Sequence, residues 1–135
     1  MAYIASKLRE EVRTAAQSRC EYCLLGEAYT EFKHEFDHII ATQHGGTTAF
    51  ENITKACFDC NRQKGPKICS MDLDTGDVVR LFDPRHQRWT EHFRLQGAVI
   101  EPLTASARAT VRVLNMNDPD RIEDRKELLN VGLYP

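Results

Sequence analysis

The stretch FDHIIATQHGGTTAFEN, Phe36 to Asn52, decides how this chain of 135 residues folds. It sets Asp37 and His38 side by side among apolar neighbours, runs through Gly45-Gly46, and delivers Asn52 just ahead of a cysteine-rich segment. Polar side chains in an apolar setting need a partner. Water, a metal ion or a phosphate could each serve.

The segments on either side narrow the choice. Tyr29 to Ala41 is rich in β-branched and aromatic residues with partial alternation, which predicts two short strands or a hairpin. Thr42 to Glu51 reads as a loop, with consecutive glycines releasing the backbone. Ile53 to Ala56 is a candidate strand, and Phe58 to Lys64 a short helix stopped by Gly65-Pro66. Two C-x-x-C pairs bracket this region, Cys20-Glu-Tyr-Cys23 and Cys57-Phe-Asp-Cys60. Two intervening residues let a tight turn aim both sulfurs at one ion, and two such knuckles make a closed tetrahedral zinc site. A site with no open position stabilises and does not catalyse. The competing readings are buried small hydrophobes or a redox pair, but a redox motif requires one C-x-x-C, not two. Cys69 is left over and reads as a buried or idle thiol.

Composition sets outer limits. Hydrophobic content of 41% and charged content of 28% describe an ordinary globular chain, most simply one domain over residues 1–135. No apolar run approaches the roughly 20 residues that cross a bilayer, and MAYIASKLREEVR is too charged for a signal peptide. Together with an odd cysteine count, which suits metal ligation better than disulfides, this points to the cytoplasm. The net charge of −2 is unevenly spread: Met1 to Ile53 carries −3, whereas Thr54 to Lys67 carries +3 from Lys55, Arg62, Lys64 and Lys67 against Asp59. A polyanion could be met there, although a solvated charged face gives the same count.

Taken together, FDHI at Phe36 to Ile39, the Gly45-Gly46 loop, Glu51-Asn52 and CFDCNRQKG at Cys57 to Gly65 resemble the HNH endonuclease family. The resemblance covers about Cys20 to Lys67 and takes its H-N-N form, with Asn61 in the place of the final histidine. It implies an α+β fold built on a ββα-metal unit, treble-clef-like, in which a structural zinc on Cys20, Cys23, Cys57 and Cys60 pins both ends. It implies DNA phosphodiester hydrolysis that leaves a 5′-phosphate. His38 is then the general base, Asp37 and Asn61 hold a catalytic Mg²⁺ or Mn²⁺, and Asn52 fixes the loop. The chemistry asks for such a set: an imidazole takes a proton from water near neutral pH, and a hard cation needs few protein oxygens. Lys64, three residues beyond Asn61, is placed to touch a phosphate, with Arg62, Lys67 and the loop residue His44 as further DNA contacts. Adjacent strand residues face opposite sides, so Asp37 and His38 share one site only if the strand bends or ends there. The alternative is a zinc-stabilised module that binds nucleic acid or protein without cutting it.

The flanks read as a helix over residues 4–19 and an extension over residues 68–135. In the extension, a hairpin turns at Thr75-Gly76, and Leu81-Phe82, Trp89 to Phe93 and Ala98 to Ile100 are strands of a small sheet. Helices follow over Thr104 to Met116 and from Asp118-Pro119 to about Gly132. Phe82, Trp89 and Phe93 read as core. Arg85, Arg88 and Arg94 are candidates for DNA-backbone contact or for ion pairs. His34 reads as a surface strand residue, and His86 and His92 as structural or rim residues.

Overall fold

The computed structural model describes residues 3–135. Helix α1, Ser6–Ala16, presents Val12 to Ile4 and Ile53, with Leu8 and Phe36 packed alongside. It is shorter at both ends than the pattern over 4–19. Gln17 and Ser18 both adopt left-handed backbone, and the Gln17 N–H closes on Arg13 and Thr14 carbonyls. That reversal sends Cys20 into the core instead of onto a further turn of helix.

Strand β1, Glu35–His38, pairs antiparallel with β2, Ile53–Ala56, in the register Asp37 opposite Thr54 and His38 opposite Ile53. Tyr29 to Ala41 therefore supplies one strand, not two. Its first part is a 3-10 turn at Glu27–Tyr29, and its partner strand lies across the glycine loop. His34, just before β1, is buried and bonds the Leu25 carbonyl through Nε2 at 2.9 Å, so it is no surface residue. Helix α2 spans Phe58–Lys64, with the Cys57 sulfur accepting the Cys60 N–H as its N-cap, and it stops at Gly65 as the sequence indicates.

The extension is not one small sheet. It holds two separate hairpins: β3, Cys69–Met71, with β4, Val78–Arg80, and β5, Phe93–Gln96, with β6, Val99–Pro102. Leu81-Phe82 is buried just beyond β4, with Leu81 N on the Ile68 carbonyl and Phe82 N on Thr110 Oγ1, and Trp89–His92 is a single helical turn, α3, because Phe93 is where the strand begins. Phe82 and Phe93 are core as read, in edge contact at 5.1 Å. Helices α4, Ala105–Val113, and α5, Pro119–Asn130, carry the predicted caps, Thr104 and Asp118. Cys69 is exposed. The first hairpin is fastened to α4 by a fork from Arg108 to buried Asp72, with both bonds at 2.9 Å. Those bonds hold the Asp72 carboxyl well below its ordinary range. Among the described residues no helix is long and apolar enough to cross a membrane.

The extension returns repeatedly to the first cysteine knuckle. Arg85 forms a buried fork with Glu21, at 2.7 Å through Nη2, and Glu21 also accepts from Thr54 Oγ1 and Lys55 N. Trp89 Nε1 donates to the Tyr22 carbonyl at 2.7 Å, and Tyr134 OH donates to the Cys23 carbonyl at 2.7 Å. Arg94 pairs with Glu101 on the neighbouring strand. Arg85 and Arg94 are thus held in ion pairs; Arg88 is exposed.

Removing one partner from a buried pair strands the other charge. Arg85→Met is expected to lower unfolding free energy by about 3 kcal/mol or more, read by urea denaturation at fixed zinc. The Glu21→Gln/Arg85→Met double variant is expected to lose less, because glutamine's amide oxygen still accepts from β2.

Candidate functional site

The four cysteines converge. Their sulfurs all lie within 4.8 Å of one another, and Cys23 and Cys57 approach to 3.7 Å. Four sulfurs held at about 2.3 Å from one ion in a tetrahedron sit about 3.8 Å apart, so the cluster has the dimensions of a zinc–thiolate site. Each knuckle adds a backbone N–H to sulfur bond at 3.4 Å, from Cys23 to Cys20 and from Cys60 to Cys57. All four side chains are buried, and burial pushes the Cys20 and Cys60 thiols up. Four thiolates cannot persist there without compensating positive charge, which a divalent cation supplies.

Part of that charge comes from a residue no motif marks. Arg121, on α5, sets Nη2 at 3.0 Å from the Cys60 sulfur and 3.8 Å from that of Cys57. Nη1 is fixed by the carbonyls of Leu114 and Asn115 at 2.7 and 3.1 Å. The guanidinium therefore cannot drift from the sulfur. The sequence offers only an arginine in a charged helix, with nothing to tie it to the knuckles.

A second group of residues sits where β1 ends. His38 is the last residue of the strand; beyond it, Ile39 N bonds the Asn52 carbonyl. Asn52 is buried, and its amide spans the loop: Oδ1 accepts Ile40 N at 2.9 Å, while Nδ2 donates to Ile40 O at 3.0 Å and Thr47 O at 2.8 Å. Gly46 packs so tightly under this bridge that a Cβ would lie 1.7 Å from the Ile40 carbonyl oxygen. Gly45 takes a φ of +90°. The two glycines thus do different work, one supplying space and the other a left-handed turn.

Asp37 and His38 point to different neighbours. The His38 ring bonds Thr48 Oγ1 through Nε2 at 3.0 Å. Asp37 Oδ2 accepts from Lys64 Nζ at 2.9 Å. Burial pushes the Asp37 carboxyl up, opposed by Lys64 and by the nearby His38. Lys64 departs from expectation: its side chain is only 2% exposed, and its ammonium is spent on Asp37, the His38 carbonyl and the Gly65 carbonyl. Such a lysine cannot meet a phosphate. Facing inward from α2 put it under β1, because Cys60, one turn earlier, must reach the zinc cluster.

Asn61 is half-buried on α2, three residues before Lys64 and so on the face that meets Asp37; no side-chain hydrogen bond engages its amide among the described residues. Arg62, Lys67 and His44 are exposed, with Arg62 over the Phe58 ring at 5.7 Å and Lys67 Nζ on the Gln63 carbonyl at 3.1 Å.

Residues 20–67, just over a third of the chain, match the family model for HNH endonuclease. No curated protein and no solved structure matches the chain.

Arg121 makes the zinc cluster testable. Arg121→Gln is expected to weaken zinc retention by roughly 10- to 100-fold, measured as competition with a chromogenic chelator. Arg121→Lys, which restores charge without the fork, is expected to fall between that variant and the wild type.

Proposed function

We propose that the HNH endonuclease segment at residues 20–67 hydrolyses DNA phosphodiester bonds in the cytoplasm, with His38 as general base. The observation that carries this is the His38–Thr48 contact inside a loop closed by Asn52. Thr48 Oγ1 holds the ring through Nε2, and in the tautomer in which Nε2–H donates, Nδ1 keeps the lone pair that takes a proton from water. Asn52 acts one step removed, holding the backbone on which that ring is mounted. Asp37 and Asn61 are the ligands for Mg²⁺ or Mn²⁺: a carboxylate and an amide oxygen, from β1 and α2, suit a hard cation that keeps most of its water. Bound there, the cation would neutralise the scissile phosphate and the departing oxygen.

Lys64 then has a positioning role. Its ammonium takes one of the two Asp37 oxygens, favours the ionised carboxylate against the effect of burial, and ties β1 to α2. Arg62, Lys67 and His44 supply exposed contacts to the backbone of the bound strand. The zinc cluster on Cys20, Cys23, Cys57 and Cys60 stays structural. A binding module without catalysis is the second reading, and the hold of Lys64 on Asp37 is the observation that favours it.

Cleavage separates the two. Purified protein with Mg²⁺ or Mn²⁺ is expected to nick or cut plasmid DNA, and EDTA to stop it. His38→Ala is expected to lower the rate roughly 100- to 10,000-fold while zinc content and DNA affinity are kept. Full activity in that variant, or none in the wild type across a range of divalent cations, would falsify the base assignment.

A further inference from the structure

On the outer side of the second knuckle, a cleft of about 470 Å³ opens between the loop before β1, the start of α2 and the outer face of α5. Three of its walls are aromatic rings that folding leaves in solvent: Tyr29 is 46% exposed, Phe32 55% and Phe58 40%. Phe32 and Phe58 pair with ring centroids 5.0 Å apart. Large rings grouped on a surface cost solvation unless something covers them. The remaining walls combine carboxylates with Leu25, Leu128, Thr30 and Cys57. Glu31, Asp124 and Glu127 line the cleft, and among the described residues none of the three takes an ion pair. Asp59 lines it too, 3.9 Å from Arg121. No lysine or arginine lines it.

This combination selects a class of partner. Carboxylates repel a phosphate backbone, so the cleft is unsuited to the DNA that the proposed function places against Arg62 and Lys67. Ring faces together with carboxylates attract a guanidinium or ammonium group, which stacks on the quadrupole and is neutralised at its edge. The protein supplies its own example, since the Arg62 guanidinium already lies over Phe58. We infer that this cleft is a docking surface for an arginine- or lysine-rich segment of a partner protein, whose basic side chains enter between Phe32, Phe58 and the carboxylates of Glu31, Asp124 and Glu127. None of these residues belongs to the proposed nuclease machinery, so the two readings stand or fall separately.

Fluorescence anisotropy with a short labelled Arg-Gly repeat peptide tests the inference on the full chain. An otherwise identical peptide carrying citrulline for arginine keeps the shape and removes the charge. The wild type is expected to prefer the arginine peptide by tenfold or more. Phe32→Ala is expected to lose roughly five- to tenfold in affinity, and Asp124→Lys/Glu127→Lys more than that, with zinc content and plasmid cleavage unchanged. Asp77→Lys, on the distant hairpin tip, controls for overall charge and should bind as the wild type does. Three results overturn the inference: no binding of the arginine peptide, equal binding of the citrulline peptide, or equal weakening by Asp77→Lys. If Phe32→Ala leaves the peptide bound and weakens single-stranded DNA instead, the rings are a base-stacking platform and the protein-docking surface is likewise excluded.

Discussion

Four sulfurs that must share one small volume constrain everything else in this chain. Bringing Cys20 and Cys23 against Cys57 and Cys60 closes a long loop, and loop closure costs entropy that only a strong local interaction offsets. Once closed, the loop is forced to double back on itself. β1 and β2 pair because their ends are already fixed near each other, and α2 starts where it does because a cluster sulfur caps it. The catalytic candidates inherit their positions from this closure. Asp37 and His38 lie on the strand running into the loop, and Asn61 follows Cys60 directly. Metal binding, folding and the placement of His38 are thereby one linked equilibrium.

The extension reinforces the same point in space. Successive residues of the first knuckle are each held by a different part of it: Glu21 by Arg85, the Tyr22 carbonyl by Trp89, and the Cys23 carbonyl by Tyr134. Arg121 reaches the opposite knuckle at Cys60. The backbone of a C-x-x-C turn bends toward its ion and so turns carbonyls outward, where they need donors. The Trp89 indole N–H and the Tyr134 phenol satisfy that need, while the Arg85 guanidinium takes the Glu21 carboxylate and that of Arg121 takes the Cys60 sulfur. Residues 68–135 are for this reason more than packing material. They complete the outer shell of the cluster, and Arg85, which looked available for DNA, is consumed in doing so.

How much of this was legible in the sequence follows from the range of the forces involved. Ile53–Ala56 and Phe58–Lys64 could be read to the residue, because glycine-proline punctuation and cysteine spacing are local signals. The loop-fixing role of Asn52 and the zinc cluster were legible from motif and resemblance. Long-range decisions were not. Tyr29 looks like strand, but Gly26 and the Glu27–Tyr29 turn remove it from the sheet. Trp89 has strand composition and sits in a helical turn because its N–H must meet Tyr22. Arg121 carries no local mark at all, and Lys64, read on helical periodicity as an exposed phosphate contact, is drawn inward by Asp37. A charged residue's fate depends on which opposite charge the fold brings near, and spacing cannot encode that.

That inward turn of Lys64 also explains how so short a helix presents different chemistry on its two sides. Cys60 and Lys64 lie one turn apart and are both buried, so they fix the helix's rotation. Asn61 is left half-buried, while Phe58, Asp59 and Arg62 are turned outward. The inward side is cationic where it meets β1, which opposes the upward push of burial on the Asp37 carboxyl. The outward side begins with an aromatic and an acidic residue, and α5 extends it with Asp124 and Glu127. A helix whose rotation were set only by hydrophobic packing would tolerate slippage. One set by a metal-directed sulfur at one end and a buried ion pair at the other does not, because turning it would break a cluster ligand and strand two charges at once. The separation between the edge of α2 that meets β1 and a carboxylate-lined cleft is therefore a direct result of the same two anchors.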